Sequence, residues 1–277
     1  MWIIDFGTSL PEDEASLFEQ PFGYVEQHVK PEREKNNRDS YRKYWWRHAE
    51  ARVALRRELA PLHRYIATVR VSKHRIFVWA DKSVLPDDSL IVITRSDDST
   101  FGTLHSRFHE LWSLRLCTFL GVGNDPRYTP SSTFETFPFP EGLTPADTRG
   151  QAQPEGEVQL PPVAAEHLPA ARAIAIAAQR LNSLRENWLN PAEWVERVPE
   201  VVPGYPERIL AKPEHAAELK KRTLTNLYNA RPAWLDNAHK ALDLAVAQAY
   251  DWNDYTAEMS DEEILQRLLT LNLARSQ

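Results

Sequence analysis

The hydrophobic pattern changes period several times along the chain. Ser9-Leu10-Pro11-Glu12 carries the marks of a helix start, with Ser9 as N-cap, Pro11 in the first turn and Glu12 at the capping-box position. That helix is expected to reach about Glu19, with Pro21 stopping it, and 22–29 alternates weakly. Over 38–60, Tyr41, Trp45, His48, Arg52 and Leu55 recur at helical steps, while Arg42, Arg47, Arg56 and Arg57 lie around the other faces. This predicts one helix, ended by Pro61. Segments 65–71, 75–79 and 90–94 are rich in β-branched and aromatic residues and are bounded by Ser72-Lys73-His74 and Leu85-Pro86-Asp87-Asp88, as strands are. A further short strand is expected at 101–104.

Helical spacing returns at 105–120, where Phe108, Leu111, Trp112, Leu116 and Phe119 are apolar and Gly121 closes the helix. A turn-rich loop at 121–132 leads to a short aromatic strand at 133–139. Residues 141–163 are rich in Pro, Gly, Glu and Gln without periodicity and read as a linker. Helices are then expected at 164–190, 214–227, 232–250 and 261–273, with a broken, proline-containing stretch between the first two. Ser260-Asp261-Glu262-Glu263 opens the last with an acidic first turn. The expected fold class is α+β: a mixed domain over 1–140 with a small β-sheet, a linker over 141–163, and an all-helical domain over 164–277.

Composition narrows the function classes. The chain has 277 residues, 42% of them hydrophobic and 26% charged, as in ordinary globular domains. No apolar run approaches the roughly eighteen residues a bilayer span requires. The N-terminus lacks a basic lead and an apolar signal core, so a cytoplasmic setting is expected. With one cysteine, Cys117, neither a disulfide framework nor a thiolate zinc site can be built. The net charge of −6 hides an asymmetry: residues 1–29 hold no Lys or Arg, whereas 30–75 hold 14 Lys/Arg against 5 Asp/Glu. Such a block fits either a polyanion partner or a helix with salt-bridged faces.

No active site declares itself. A Gly-x-Gly-x-x-Gly loop and a phosphate-cradling Gly-Lys-Ser/Thr are missing from a chain with nine glycines. Asn190-Pro191-Ala192-Glu193-Trp194 has the first two residues of an amino-methyltransferase motif but not its second proline or stacking aromatic, and reads as a helix end. His105 and His109 stand one turn apart, at metal-ligand spacing, yet no third ligand is evident and Glu110 follows the wrong histidine for a metalloprotease helix. A satisfied or solvent-facing pair is the better reading. Ser106 has no triad context.

Three features suit DNA contact. Arg42, Lys43, Arg56 and Arg57, on a basic helix with Tyr41, Tyr44, Trp45 and Trp46 interleaved, can neutralise phosphates and release counterions. Ser72, Lys73, His74 and Arg75 form a short cationic turn that would clamp a phosphate or simply cap a solvated hairpin. The loop Gly123-Asn124-Asp125-Pro126-Arg127-Tyr128-Thr129 offers Arg127 for guanine, Asn124 for adenine and Asp125 for cytosine. Asn-Asp-Pro is also ordinary turn chemistry.

Trp2-Ile3-Ile4-Asp5-Phe6-Gly7, Trp45-Trp46, Val71-Ser72-Lys73-His74-Arg75 and Phe101-Gly102 with His105-Ser106-Arg107-Phe108-His109 follow one another in order. After them come Arg127-Tyr128-Thr129, Thr133-Phe134-Glu135-Thr136-Phe137-Pro138-Phe139-Pro140, Leu227-Tyr228-Asn229-Ala230-Arg231-Pro232-Ala233-Trp234-Leu235 and Ala247-Gln248-Ala249-Tyr250-Asp251-Trp252. The series resembles the C-terminal portion of MmeI-like adenine-specific DNA methyltransferases, the type IIL restriction-modification enzymes and their defence-system relatives, over nearly the whole chain. The resemblance implies a target-recognition domain over 1–140 and a closing helical domain. It makes Arg127 a base-reading arginine, and puts Asn124 and Asp125 at positions whose identity varies with the DNA sequence read. The partners it implies are double-stranded DNA and a methyltransferase core, in cis or as a separate chain. No cofactor is expected in this chain, the intact enzymes using S-adenosylmethionine to methylate a flipped adenine. A non-catalytic subunit that docks on a separate methyltransferase or nuclease chain, with little DNA affinity of its own, is the alternative.

Overall fold

The computed structural model describes residues 2–122, 124–202 and 204–275; Met1, Gly123, Pro203, Ser276 and Gln277 lie outside the described residues. Two compact units are present, Met1–Ala60 and Pro61–Gln277.

The first unit contains α1 (Glu12–Ser16), α2 (Glu19–His28), α3 (Lys30–Glu34), α4 (Asp39–Lys43) and α5 (Val53–Leu59). Its core is Phe6, Ala15, Val25, Trp45 and Trp46, with Phe22 packed against it. Pro11 rather than Ser9 is the N-cap of α1. Pro21 lies in the first turn of α2, where its missing N–H costs nothing, so the helix Glu19–His28 runs through it instead of stopping there. The helix expected over 38–60 is broken between Lys43 and Val53. Two adjacent indoles account for the break. Neighbours on a helix diverge by about 100°, yet Trp45 and Trp46 are both buried. Their Nε1 atoms donate to Glu12 Oε1 (3.2 Å) and Leu10 O (3.0 Å). A continuous helix would have exposed one of them. The chain re-enters helix through Arg52, which takes a left-handed φ of 50°.

In the second unit β1 (Arg64–Val69), β2 (Phe77–Asp81) and β3 (Leu90–Ile93) form an antiparallel sheet of order β2-β1-β3. Ile66 pairs with Trp79 on one side and Ile93 on the other. Then follow α6 (Asp98–His105) and α7 (Arg107–Leu116), the hairpin β4 (Thr118–Leu120) and β5 (Asp125–Arg127), and α8 (Pro130–Thr133). After them come the hairpin β6 (Gln153–Glu155) and β7 (Val158–Leu160), α9 (Leu168–Leu189), and the hairpin β8 (Val195–Val198) and β9 (Arg208–Ala211). A 3-10 turn at Pro213–His215 leads to α10 (Ala216–Leu219), α11 (Leu224–Ala230), α12 (Ala233–Ala249) and α13 (Asp261–Arg275).

Several segments differ from expectation for identifiable reasons. Asp97 accepts from Thr100 N at 2.7 Å and caps α6, so 101–104 is helical, not strand. The helix expected over 105–120 is split: Ser106, with ψ 154°, ends α6 and caps α7 through His109 N. Thr133–Phe139 forms no strand, since Pro138 and Pro140 cannot donate to a ladder; Phe134, Phe137 and Phe139 instead pack edge-on against one another. The 141–163 segment holds the β6–β7 hairpin, whose Val158 and Leu160 are buried against Ala175 of α9. The region expected to be all-helical contains β8–β9.

One hydrophobic core runs across the 141–163 segment, joining Ile66, Phe77 and Phe101 to Ile174, Leu181, Leu235, Leu242 and Leu268. α6 seats directly on α9. A Cβ at Gly102 would stand 2.7 Å from Ile174 Cγ2, 2.9 Å from Ala178 Cβ and 3.1 Å from Leu242 Cδ1. Only glycine allows this approach.

Candidate nucleic-acid interface

The β4–β5 hairpin carries the candidate base readers. Thr118 pairs with Arg127 and Leu120 with Asp125, and Gly121, Val122 and Asn124 lie between the paired strands. Asn124 is exposed with a left-handed φ of 50°, while Asp125 and Arg127 are half-buried on the returning strand. Gly123, the start of the expected reading loop, lies outside the described residues. Phe119 and Leu120 are half-exposed and Val122 is fully exposed, so these three side chains stand clear of the core.

Backbone hydrogen bonds fasten this hairpin to the β1–β2 turn. Val71 and Arg127 form an isolated antiparallel bridge. Ser72 N donates to Pro126 O (3.3 Å) and Tyr128 N to Arg70 O (2.8 Å). Arg75 locks the junction. Its guanidinium donates to Thr68 Oγ1 (3.0 Å) and Pro126 O (3.1 Å) and stands 4.9 Å from the Tyr128 ring centroid. With 7% of its surface exposed, Arg75 is a strut between turn and hairpin. Lys73 is exposed and His74 half-exposed; Lys73 Nζ and His74 Nε2 meet Asn229 Oδ1 at the end of α11. The structure thus brings Ser72, Lys73, His74, Asp125 and Arg127 into one neighbourhood.

Beneath it lies a hydrogen-bonded layer. His109 Nδ1 donates to Leu104 O (3.1 Å), and its Nε2 accepts from Tyr128 OH (3.0 Å). Burial holds its pKa at about 3, so the ring is neutral and supports Tyr128 from below. His105 is likewise neutral, pushed well below its ordinary value by burial and by Arg185. Its Nε2 accepts from Phe77 N (3.1 Å) and Arg185 Nη1 (2.8 Å), so that lone pair is occupied. The two histidines at metal-ligand spacing are therefore both satisfied within the core.

No family model matches the chain, and no curated protein does. Among solved structures, the type IIL restriction-modification enzyme MmeI in complex with DNA matches with a TM-score of 0.56 at 17% identity, over 96% of this chain. The fold is similar to part of MmeI. This chain spans 28% of MmeI's length, and the likeness speaks to the fold alone.

The remaining phosphate candidates sit in the first unit, largely engaged with other groups. Arg56 grips Asp5 with two bonds (2.7 and 3.1 Å) and donates to Ala51 O. Arg42 bonds Asp39 and Asn36 O, Lys43 stands 5.3 Å from the Tyr44 ring centroid, and the exposed Arg57 lies 3.4 Å from Glu58. Arg47, in the same block, donates to Leu10 O and Thr8 O and holds the N-terminal segment. Sequence reading missed Asn229: it sits in the Leu227–Leu235 motif, but nothing local shows that it meets Lys73.

Proposed function

We propose that this chain is the sequence-reading region of an adenine-specific, S-adenosylmethionine-dependent DNA methyltransferase in a restriction-modification or phage-defence system. In this reading methyl transfer belongs to a catalytic core outside these residues, supplied in cis or by a separate chain, in the cytoplasm. The observation that carries the reading is the fold likeness to a DNA-bound restriction-modification enzyme, joined to a projecting hairpin that presents Asn124, Asp125 and Arg127. A two-stranded ribbon fits the major groove, where Arg can take guanine O6 and N7 and Asn can take adenine N6 and N7. The cationic turn at Ser72–His74 is fastened to the same hairpin, so phosphate contacts there would fix the register in which bases are read. The core would then act on an adenine flipped out of the stack.

Selection of preferred duplexes from a random library by the full chain tests the reading. An enriched motif, with binding that weakens steeply as salt rises, is the expected result. A docking subunit is the second reading. It is favoured by one feature of the first unit: Leu17, Phe18 and Tyr24 are exposed close in sequence to the acidic α1 (Glu12, Asp13, Glu14). No duplex binding at any salt concentration would select it.

A further inference from the structure

The contact between the β1–β2 turn and the end of α11 has a polarity fixed by elementary hydrogen-bond chemistry. Lys73 Nζ lies 2.8 Å from Asn229 Oδ1, and His74 Nε2 lies 2.9 Å from the same atom. An ammonium has donors and no acceptor, so the atom facing it must be the carboxamide oxygen. That oxygen offers only lone pairs, so His74 supplies Nε2–H. Both cationic-turn residues therefore grip one side of Asn229, and its NH2 group is turned away from them with two donors. Asn229 is exposed, and Lys73 keeps two further N–H donors beside it.

Two residues on, Arg231 takes a left-handed φ of 38° at the C-cap of α11. Glycine adopts that conformation more readily than an L-residue, so a side chain stands here at a backbone cost. Arg231 Nε donates to Asp236 Oδ1 (3.0 Å), and Lys240 Nζ lies 2.9 Å from the other oxygen of that carboxylate. One acid is thus shared by two cations. Glu110 also lies within electrostatic reach of Arg231, His74 and Arg75, and burial raises its pKa and works against its negative form.

We propose that Lys73, His74, Asn229 and Arg231 form one composite clamp for a DNA phosphodiester. The first pair comes from the β1–β2 turn and the second from the end of α11, more than 150 residues away in sequence. The clamp rests on the DNA-reading proposal and adds to it two contact residues on the helical side of the chain. It is preformed, because β2 and α11 both anchor in the same core through Phe77, Leu227 and Tyr228. No local motif assigns Asn229 or Arg231 this role; the juxtaposition does.

The test is duplex binding by the full chain, followed by fluorescence anisotropy across a salt series, for wild type, K73A, N229A, N229D and R231Q. K73A and R231Q should each weaken binding to every duplex and lower the slope of log K against log salt by about 1. N229A should weaken binding several-fold with the slope unchanged, since it removes a neutral donor. N229D should weaken it by about tenfold or more, since it sets a carboxylate against the phosphate. Thermal melts of the exposed Asn229 variants should match wild type. Wild-type affinity in N229A and N229D while K73A is weakened would overturn the clamp and leave the DNA-reading proposal intact. A loss confined to particular base sequences would also overturn it, replacing a phosphate contact with a base contact. Failure of the wild-type chain to bind any duplex would remove the reading beneath it.

Discussion

Arg185 is the largest fully buried side chain among the described residues, and it carries a positive charge. Its acceptors are Phe77 O (3.0 Å), His105 Nε2 (2.8 Å), Tyr228 OH (3.3 Å) and Asn182 Oδ1 (3.3 Å), none of them an ion. Such a cation disfavours a second positive charge beside it. His105 and His239 are neutral: burial and nearby arginines hold His239 at about 3 and His105 well below its usual value. These depressed folded-state values mean that the unfolded chain binds more protons in acid. The stability they contribute is complete above pH 6.5 and is lost as pH falls from there toward 3. Asp243 has the opposite sign. Buried against Arg107 N (2.7 Å), its carboxyl is pushed up to about 7 from an ordinary 3.8. Its contribution is complete below pH 3.8 and is lost as pH rises through 7. Asp243→Asn keeps the acceptor for Arg107 N and removes the cost of ionisation. It should therefore raise stability above pH 7 by on the order of a few kcal/mol, an advantage that fades toward pH 4. Thermal denaturation of both proteins at pH 4, 6 and 8 checks this. Equal melting temperatures at pH 8 would show Asp243 to be ionised at little cost.

Helix packing sets tighter tolerances than any single polar contact. Gly102→Ala would force a methyl within 3 Å of Ile174 and Ala178, pushing α6 off α9. The expected loss is about 1–3 kcal/mol, the usual cost of overpacking, read from chemical denaturation; an unchanged midpoint would mean that the two helices slide freely. The β4–β5 hairpin has the reverse character, since its tip touches little. Arg127→Ala should leave folding intact and relax base preference at one position by roughly 1–3 kcal/mol, measured by library selection. An equal loss on all sequences would make Arg127 a phosphate contact. The strands at 64–69, 77–81 and 90–93 and the helices α9, α12 and α13 were legible in the sequence, because each carries an uninterrupted period and a clear boundary. What escaped was decided by tertiary demand. Trp45 and Trp46 break a helical pattern so that both can be buried, and Ser106 splits another by capping α7. For the interface, the cationic turn and the loop around Arg127 stood out as polar islands between apolar runs. Arg75 looked like its neighbours Lys73 and His74; only the fold shows it turned inward under Tyr128, and only the fold carries Asn229 to the turn.

Charge is distributed so that the densest basic stretch is not the most available one. The 14 Lys/Arg of residues 30–75 fit either a polyanion partner or salt-bridged faces. In the first unit that charge is largely turned to internal use, with Lys30 paired to Glu26, Arg38 to Glu50 and Arg56 to Asp5, and with Arg47 on backbone carbonyls. Burial raises the Asp5 carboxyl, but the Arg56 bonds and the Gly7 amide outweigh it and leave its pKa below the ordinary value. This pair therefore works as a tie across the unit. Arg56→Ala should destabilise the first unit by on the order of 1 kcal/mol while leaving the salt slope of duplex binding unchanged. Lys73→Ala should do the reverse. Measuring both variants by thermal melt and by salt titration separates the two uses of a cation, structural and electrostatic. In a chain of net charge −6, bulk attraction to DNA is absent. On the proposed DNA reading, affinity would come from a few local cations such as Lys73 and Arg231, the latter sharing one carboxylate with Lys240, and a flattened slope for Arg56→Ala would add the first unit to them.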